Sequence, residues 1–290
     1  MQLESKFRGI FLKIYFFFKN KRLFKDGYGL SYYLYKNTRP NDTFNLGVRT
    51  DDTTVLYTID KILSSPTLTD SNNIHCIDVG GFIGIVTLMM SKALKNNEKN
   101  WKIHTFEPFE ESFVRLSENI NLDSSKKNIL LHKLAISDTP GVSTLKTYQN
   151  APGENHLDSN IKKKNNENSY SLKNIEVITL KDYINKNDID HINICKVDTE
   201  GADYFVIKGL HQYLEKKIVD FFIFEYQFIT YEKIKKMLTN NGYTIYHMVR
   251  NENILVNSLE KYPKNCKSLL NCIAVSQEKN TNFIKKFNTE

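Results

Sequence analysis

The 290-residue sequence has no uninterrupted apolar stretch near the ~18 residues that a membrane-spanning helix requires. Its N-terminus carries basic and apolar parts but no small-residue cleavage site, so a secretory leader is not expected. The four cysteines (Cys76, Cys195, Cys266 and Cys272) form no C-x-x-C pair and no zinc spacing with histidine. A disulfide framework and a zinc ribbon are therefore excluded, and a cytoplasmic location is expected. With 12 glycines and 6 prolines, low-complexity and collagen-like chains are excluded too. Only six of the 40 basic residues are arginine. Lysine, asparagine and isoleucine are abundant, a bias that an AT-rich coding sequence explains, so their counts carry little functional weight.

Net charge is missing from most of the chain. The formal +7 is held entirely by residues 1–40, and residues 41–290 balance to zero. A neutral body argues against a broad nucleic-acid footprint. The charged N-terminus has an apolar counterpart: Phe7, Ile10, Phe11, Ile14, Tyr15 and Phe18 follow helical spacing. This helix either packs on the protein or a partner subunit, or lies in a membrane surface with its lysines on anionic headgroups. The organisation expected is a basic, aromatic, helical extension over 1–50, a catalytic domain over 51–278, and a polar tail over 279–290.

From residue 74 onward strands and helices alternate regularly, after a first helix capped by Asp51-Asp52-Thr53-Thr54. Helices are expected at Val55–Leu63, 83–94, 109–120, around Asp182, at 202–214 and at 230–239. Short apolar strands are expected at Ile74–Val79, 101–106, 128–134, 142–147, 175–178, Ile192–Val197, 218–224, Tyr243–Val249 and 269–275. This alternation indicates a doubly wound α/β sheet, mostly parallel, with buried strands and helices on both faces. The polar, unpatterned stretch 148–173 reads as a disordered loop or a lid.

In such a sheet, ligands bind beyond the carboxyl ends of the strands, so the informative residues follow strands. The first turn is Asp78-Val79-Gly80-Gly81-Phe82-Ile83-Gly84. It is not a dinucleotide fingerprint, because Val79 stands where the first glycine would be, and no Walker lysine follows. The spacing suits S-adenosylmethionine, a sulfonium without phosphates, whose amino group Asp78 could pair. The second turn is Phe106-Glu107-Pro108, with an acid 23 residues beyond Gly84. An acid there can accept from both ribose hydroxyls. The third, Ala135-Ile136-Ser137-Asp138, offers an apolar wall and a polar side chain to an adenine ring. The fourth, Lys196-Val197-Asp198-Thr199-Glu200-Gly201, puts Lys196, Asp198 and Glu200 on one strand face at period two. Two acids and a lysine ending a buried strand form an ion pair or serve a reacting group. Glu225 adds another acid at the same edge. His191, which opens a strand, and His211, within a helix, read as structural or surface residues.

Together these turns resemble the FkbM family of S-adenosylmethionine-dependent methyltransferases, over roughly residues 50–250. The matching pieces are Ile77-Asp78-Val79-Gly80 with Ile83-Gly84, Phe106-Glu107-Pro108, Asn119-Ile120, and Ala135-Ile136-Ser137-Asp138. The most specific is Lys196-Val197-Asp198-Thr199-Glu200-Gly201-Ala202 with Ile207-Lys208-Gly209, closed by Phe224-Glu225. Gly81-Phe82 departs from the Ala-Asn usual in the family, which removes one polar side chain and leaves the backbone to serve. The resemblance implies a Rossmann-like class I fold with a seven-stranded sheet. It also implies methyl transfer to a hydroxyl of a sugar, glycan or glycolipid. Cofactor contacts are then expected from Asp78, Gly80, Gly81, Phe82, Gly84, Glu107, Pro108, Ala135, Ser137 and Asp198. Catalytic roles are expected for Asp198, Glu200, Glu225 and Lys196. A divalent metal on the same acids is compatible with this chemistry, although no metal motif is present. The alternatives are a non-catalytic Rossmann-like binding module, or a methyltransferase for another small molecule or nucleic acid. The fourth strand lacks the Asn/Asp-Pro-Pro-aromatic turn of base methylation. Oligomeric state stays open.

Overall fold

A computed structural model describes residues 21–35, 53–148, 156–157, 170–249, 254–256 and 269–287. The aromatic segment 7–18, most of the 148–173 stretch, and Cys266 lie outside these residues.

The central sheet is built from strands too apolar to leave either face in water. β3 (Asn73–Val79), β4 (Asn100–Phe106) and β5 (Ile129–His132) run parallel on one side. β10 (Ile192–Val197) and β11 (Val219–Glu225) continue the parallel set on the other. β14 (Leu269–Ser276) inserts antiparallel between β11 and β12 (Tyr243–Val249). β13 (Ile254–Val256) folds back on β12, giving the order β5-β4-β3-β10-β11-β14-β12-β13.

Period-two alternation sends successive side chains to opposite layers. Phe221 and Ile223 of β11 join one core with α1 (Thr53–Leu63), α2 (Ile85–Leu94) and α3 (Glu110–Ile120). Phe222 and Phe224 join the other. There they meet α4 (Leu180–Lys186), α5 (Asp203–Lys208), α6 (His211–Leu214) and α7 (Phe228–Asn240). The result is the expected three-layer α/β sandwich, mixed rather than all parallel.

Five expectations are corrected. Among the described residues the sheet has eight strands rather than seven, because the three-residue β13 extends its edge. The strand expected over 128–134 ends at His132, and β6 (Ala135–Ser137) leaves for a second sheet with β9 (Tyr170–Thr179), β7 (Gly141–Tyr148) and β8 (His156–Leu157). The helix expected over 202–214 breaks at Gly209, where a Cβ would stand 2.9 Å from the Ser137 carbonyl oxygen. The N-terminal extension is not helical over 21–35. There β1 (Lys21–Lys25) and β2 (Ser31–Tyr35) form an antiparallel hairpin whose Tyr32 and Leu34 enter the core.

Last, the polar tail is the end of α8 (Gln277–Phe287), which starts before residue 279. Phe283 is buried there against Phe221 and Tyr246. Lys279 pairs with Asp70 and lies 3.9 Å from Asp220. His191, 2.9 Å from Asp220, belongs to this network at the amino ends of the strands, where its hydrogen bond to Asp220 raises its pKa.

Candidate active site

β3 and β10 are adjacent and parallel, yet the connection from β3 runs through α2 on one face and that from β10 through α5 and α6 on the other. The two connections therefore part to opposite faces beyond the carboxyl ends, the switch point where an open α/β sheet has its ligand crevice.

On the β3 side, Gly80 adopts φ +82°, and a Cβ there would meet the Asp198 carbonyl oxygen at 1.8 Å. Only glycine lets the two turns lie this close. Gly81 accepts from the Gly84 N–H at 2.8 Å, closing the turn that launches α2. Phe82 also has positive φ, +47°, unusual for a bulky side chain. That conformation accompanies a 2.8 Å hydrogen bond from the Phe82 N–H to Glu107 Oε2.

Glu107 Oε1 accepts from the Phe109 N–H at 2.9 Å. The carboxylate is 7% exposed, and burial pushes its pKa up to about 7 against the lowering effect of the two backbone N–H groups. A carboxylate has about four lone-pair sites, and these two bonds fill two, so the group suits further hydroxyl donors such as those of a ribose. Pro108 falls just before Phe109, the residue that caps α3, rather than within the helix.

Asp78 is 0% exposed. Thr87 donates to its Oδ2 at 2.7 Å, and the cation facing Oδ1 is Lys196, at 3.6 Å. Oδ1 is buried and accepts no hydrogen bond from any described residue, so an acceptor remains there beside the lysine. Lys196 also lies 3.2 Å from Asp198 Oδ2 and donates to the Gly80 carbonyl at 3.5 Å. One buried ammonium therefore ties both turns together. Lys196 and Asp198 share a face as their spacing requires. Glu200 does not continue it, because the chain leaves extended geometry and Glu200 takes φ +53° with its side chain exposed.

The residue that organises the far side was not singled out from sequence. Asp203, 1% exposed, accepts through Oδ1 from the Thr199 N–H (2.9 Å) and hydroxyl (2.6 Å). Its Oδ2 accepts from the Glu225 N–H at 3.2 Å. One carboxylate thus joins the turn after β10 to the end of β11. Burial, reinforced by the Asp198 charge, raises its pKa to about 6. Glu225 is half-buried, with Oε2 accepting from Gln227 at 2.6 Å. Burial first, then the negative charges of Asp198 and Asp203, push it up to about 7.

Ala135 is buried, and Ser137 is half-buried with its hydroxyl donating to Asp138 at 3.3 Å. Asp138 in turn pairs with Lys208 at 2.6 Å. This pair stands by the break between α5 and α6, on the second sheet. His211 is exposed at the start of α6 and belongs to none of these contacts. Among the described residues, no group of three or more His, Cys, Asp or Glu is arranged to hold a metal ion. No described helix is long and apolar enough to cross a membrane.

Among the described strands β14 and β13 run against the other six, with β14 set between β11 and β12, and the turns above gather at the switch point of this Rossmann-like sheet. The family model of the Methyltransferase FkbM domain matches residues 78–245, and the chain belongs to that family. Among solved structures it is similar to the methyltransferase FkbM from Methylobacillus flagellatus KT, at 14% identity and TM-score 0.47, over 70% of this chain and 44% of that one. It is similar also to a SAM-dependent methyltransferase from Agrobacterium tumefaciens (10% identity, TM-score 0.49, 89% and 71% covered). A third is a putative rRNA-methylase from Clostridium thermocellum (9% identity, TM-score 0.46, 80% and 98% covered). No curated protein matches the sequence.

Proposed function

We propose that the protein is an O-methyltransferase acting on a hydroxyl of a sugar, glycan or glycolipid. The observation that carries this reading is the carboxylate cluster at the crevice, with Glu225 held near neutral pKa beside Asp198 and above Asp203. Bound S-adenosylmethionine supplies an electrophilic methyl on sulfur. Glu107 would hold its ribose, the Gly80–Gly84 turn its backbone contacts, and Ala135 and Ser137 the adenine side. A sugar hydroxyl is a poor nucleophile until its proton is removed, and a base of pKa near 7 suits that task at neutral pH. Glu225 takes the proton, and Asp198 orients the hydroxyl. Lys196 keeps the Asp198 charge tolerable beside Asp78.

Transfer of labelled methyl from S-adenosylmethionine to a glycan or glycolipid pool tests this reading, with product expected as a methyl ether. At saturating cofactor, kcat should rise with pH through about 7 as Glu225 loses its proton. Glu225→Gln should remove that rise and lower kcat by about 10²-fold. Working at saturation separates Glu225 from Glu107, whose titration acts on cofactor affinity. A flat kcat profile, or an unimpaired Gln variant, rejects Glu225 as base.

We also propose peripheral contact with the inner membrane surface through residues 4–22, placing the enzyme near lipid-linked acceptors. The chain just beyond that region supports it: Leu23 is 54% exposed between Arg22 and Lys25. The full chain should cosediment with anionic liposomes, and deleting residues 1–18 should weaken this at least tenfold. Equal sedimentation with neutral liposomes, or none with either, rejects the placement.

A further inference from the structure

The Gly-rich turn is held from behind by a side chain of α3. Asn119 is 0% exposed, so no ligand reaches it directly. Its Nδ2 donates to the Ile83 carbonyl at 2.7 Å, and its Oδ1 accepts from the Tyr33 N–H at 2.7 Å. The two partners fix the amide's orientation, since the flipped group would set donor against donor and acceptor against acceptor. Ile83 directly follows Phe82, whose own N–H holds Glu107. Tyr33 belongs to β2 of the hairpin, which lies outside the matched residues 78–245.

The hairpin is fastened to the same helix by further contacts. Lys21 donates to Glu118 at 2.8 Å, the Tyr35 hydroxyl donates to the same carboxylate, and Arg115 covers the Tyr35 ring at 4.7 Å. Tyr32 and Leu34 fill the core beneath.

We propose that Asn119 is a positioning residue through which the β1–β2 hairpin sets the Gly80–Gly84 turn for S-adenosylmethionine. The proposal rests on the cofactor reading above. Phe82 sits in a left-handed conformation that persists only where its surroundings over-determine it. Glu107 fixes the turn from the front, and Asn119 fixes it from behind. Removing the amide leaves the buried Ile83 carbonyl and the half-buried Tyr33 N–H without this partner, which favours relaxation of the turn. Coupling between sites is reciprocal, so cofactor binding must also steady the hairpin.

The test uses the full chain with S-adenosylhomocysteine as probe. Calorimetry of Asn119→Leu should show affinity weakened about tenfold. Phe283→Ala, a core change in α8, should lower the melting temperature without altering affinity. Hydrogen exchange on the wild type, which does not depend on a variant folding, should show the Tyr33 and Phe82 amides both slowed by the probe. An Asn119→Leu protein that binds like the wild type overturns the proposal. So does Tyr33 exchange that is unchanged while Phe82 slows. Absence of binding by the wild type overturns the cofactor reading and this proposal with it.

Discussion

Gly80→Ala is expected to abolish cofactor binding and to lower stability by about 4 kcal/mol or more, within the range reserved for severe backbone and packing faults. The left-handed φ of +82° alone costs a non-glycine residue roughly 1–2 kcal/mol. The larger fault is steric. The new Cβ would sit 1.8 Å from the Asp198 carbonyl, more than an ångström inside the closest approach that such atoms make. Asp198 cannot retreat freely, because its own N–H donates to Val79 at 3.0 Å and its carboxylate is drawn to Lys196. The ends of β3 and β10 would have to part, and with them the crevice. Thermal melting and titration with S-adenosylhomocysteine measure both effects. A variant that melts within about 2 °C of the wild type and binds normally contradicts the close apposition of the turns.

Asp203→Ala is expected to lower kcat by about 10²-fold, in line with the cost of misplacing a reacting group by ~1 Å. Cofactor affinity should change far less. The variant leaves three donors without their acceptor: the Thr199 N–H, the Thr199 hydroxyl and the Glu225 N–H. Each unsatisfied buried group costs about 1–3 kcal/mol, less where water enters the space. Asp203→Asn keeps one oxygen for the two Thr199 donors but turns an amide nitrogen or a weakened contact toward Glu225. It should therefore fall between wild type and alanine in kcat. A purely structural role would lower stability in both variants while sparing kcat of the folded fraction. Steady-state kinetics at saturating cofactor, beside melting curves, distinguishes the two.

The sequence carried the sheet and its turns well, because the buried strands are continuous apolar runs. Ile192–Val197 is buried at every position, and a run of that kind has few other readings. The turns at the carboxyl edge of the sheet were legible because glycines and acids interrupt those runs at strand ends. The hairpin was legible in principle: Tyr32 and Leu34 alternate with half-exposed tyrosines at period two. Its Tyr-rich composition hid that alternation. Helix α8 was hidden for another reason. Phe283, Ile284 and Phe287 make a thin stripe in a polar segment, and it becomes meaningful only against Phe221 and Tyr246 from distant strands.

The site was read less completely. Period two predicted that Lys196 and Asp198 meet, and they do, but it overreached to Glu200. The Thr199-Glu200-Gly201 turn ends the strand, and Glu200 and Gly201 both have positive φ. Asp203 looks in sequence like an ordinary acid in the first turn of a helix, which is favourable there for its own sake. Its link to Glu225 spans 22 residues, two short helices and the length of β11, so nothing local signals it. Asn119 lay in a recognised motif, yet its partner Tyr33 stands 86 residues earlier.

On the proposed function the cofactor lies across the ends of β3 and β4 with its ribose on Glu107. A crystal structure with S-adenosylhomocysteine tests this placement most directly. Both ribose hydroxyls are expected within hydrogen-bond distance of the Glu107 carboxylate, with the sulfur directed toward Asp198 and Glu225. A nucleoside bound away from the Gly80–Gly84 turn, or a ribose held by residues other than Glu107, would contradict it.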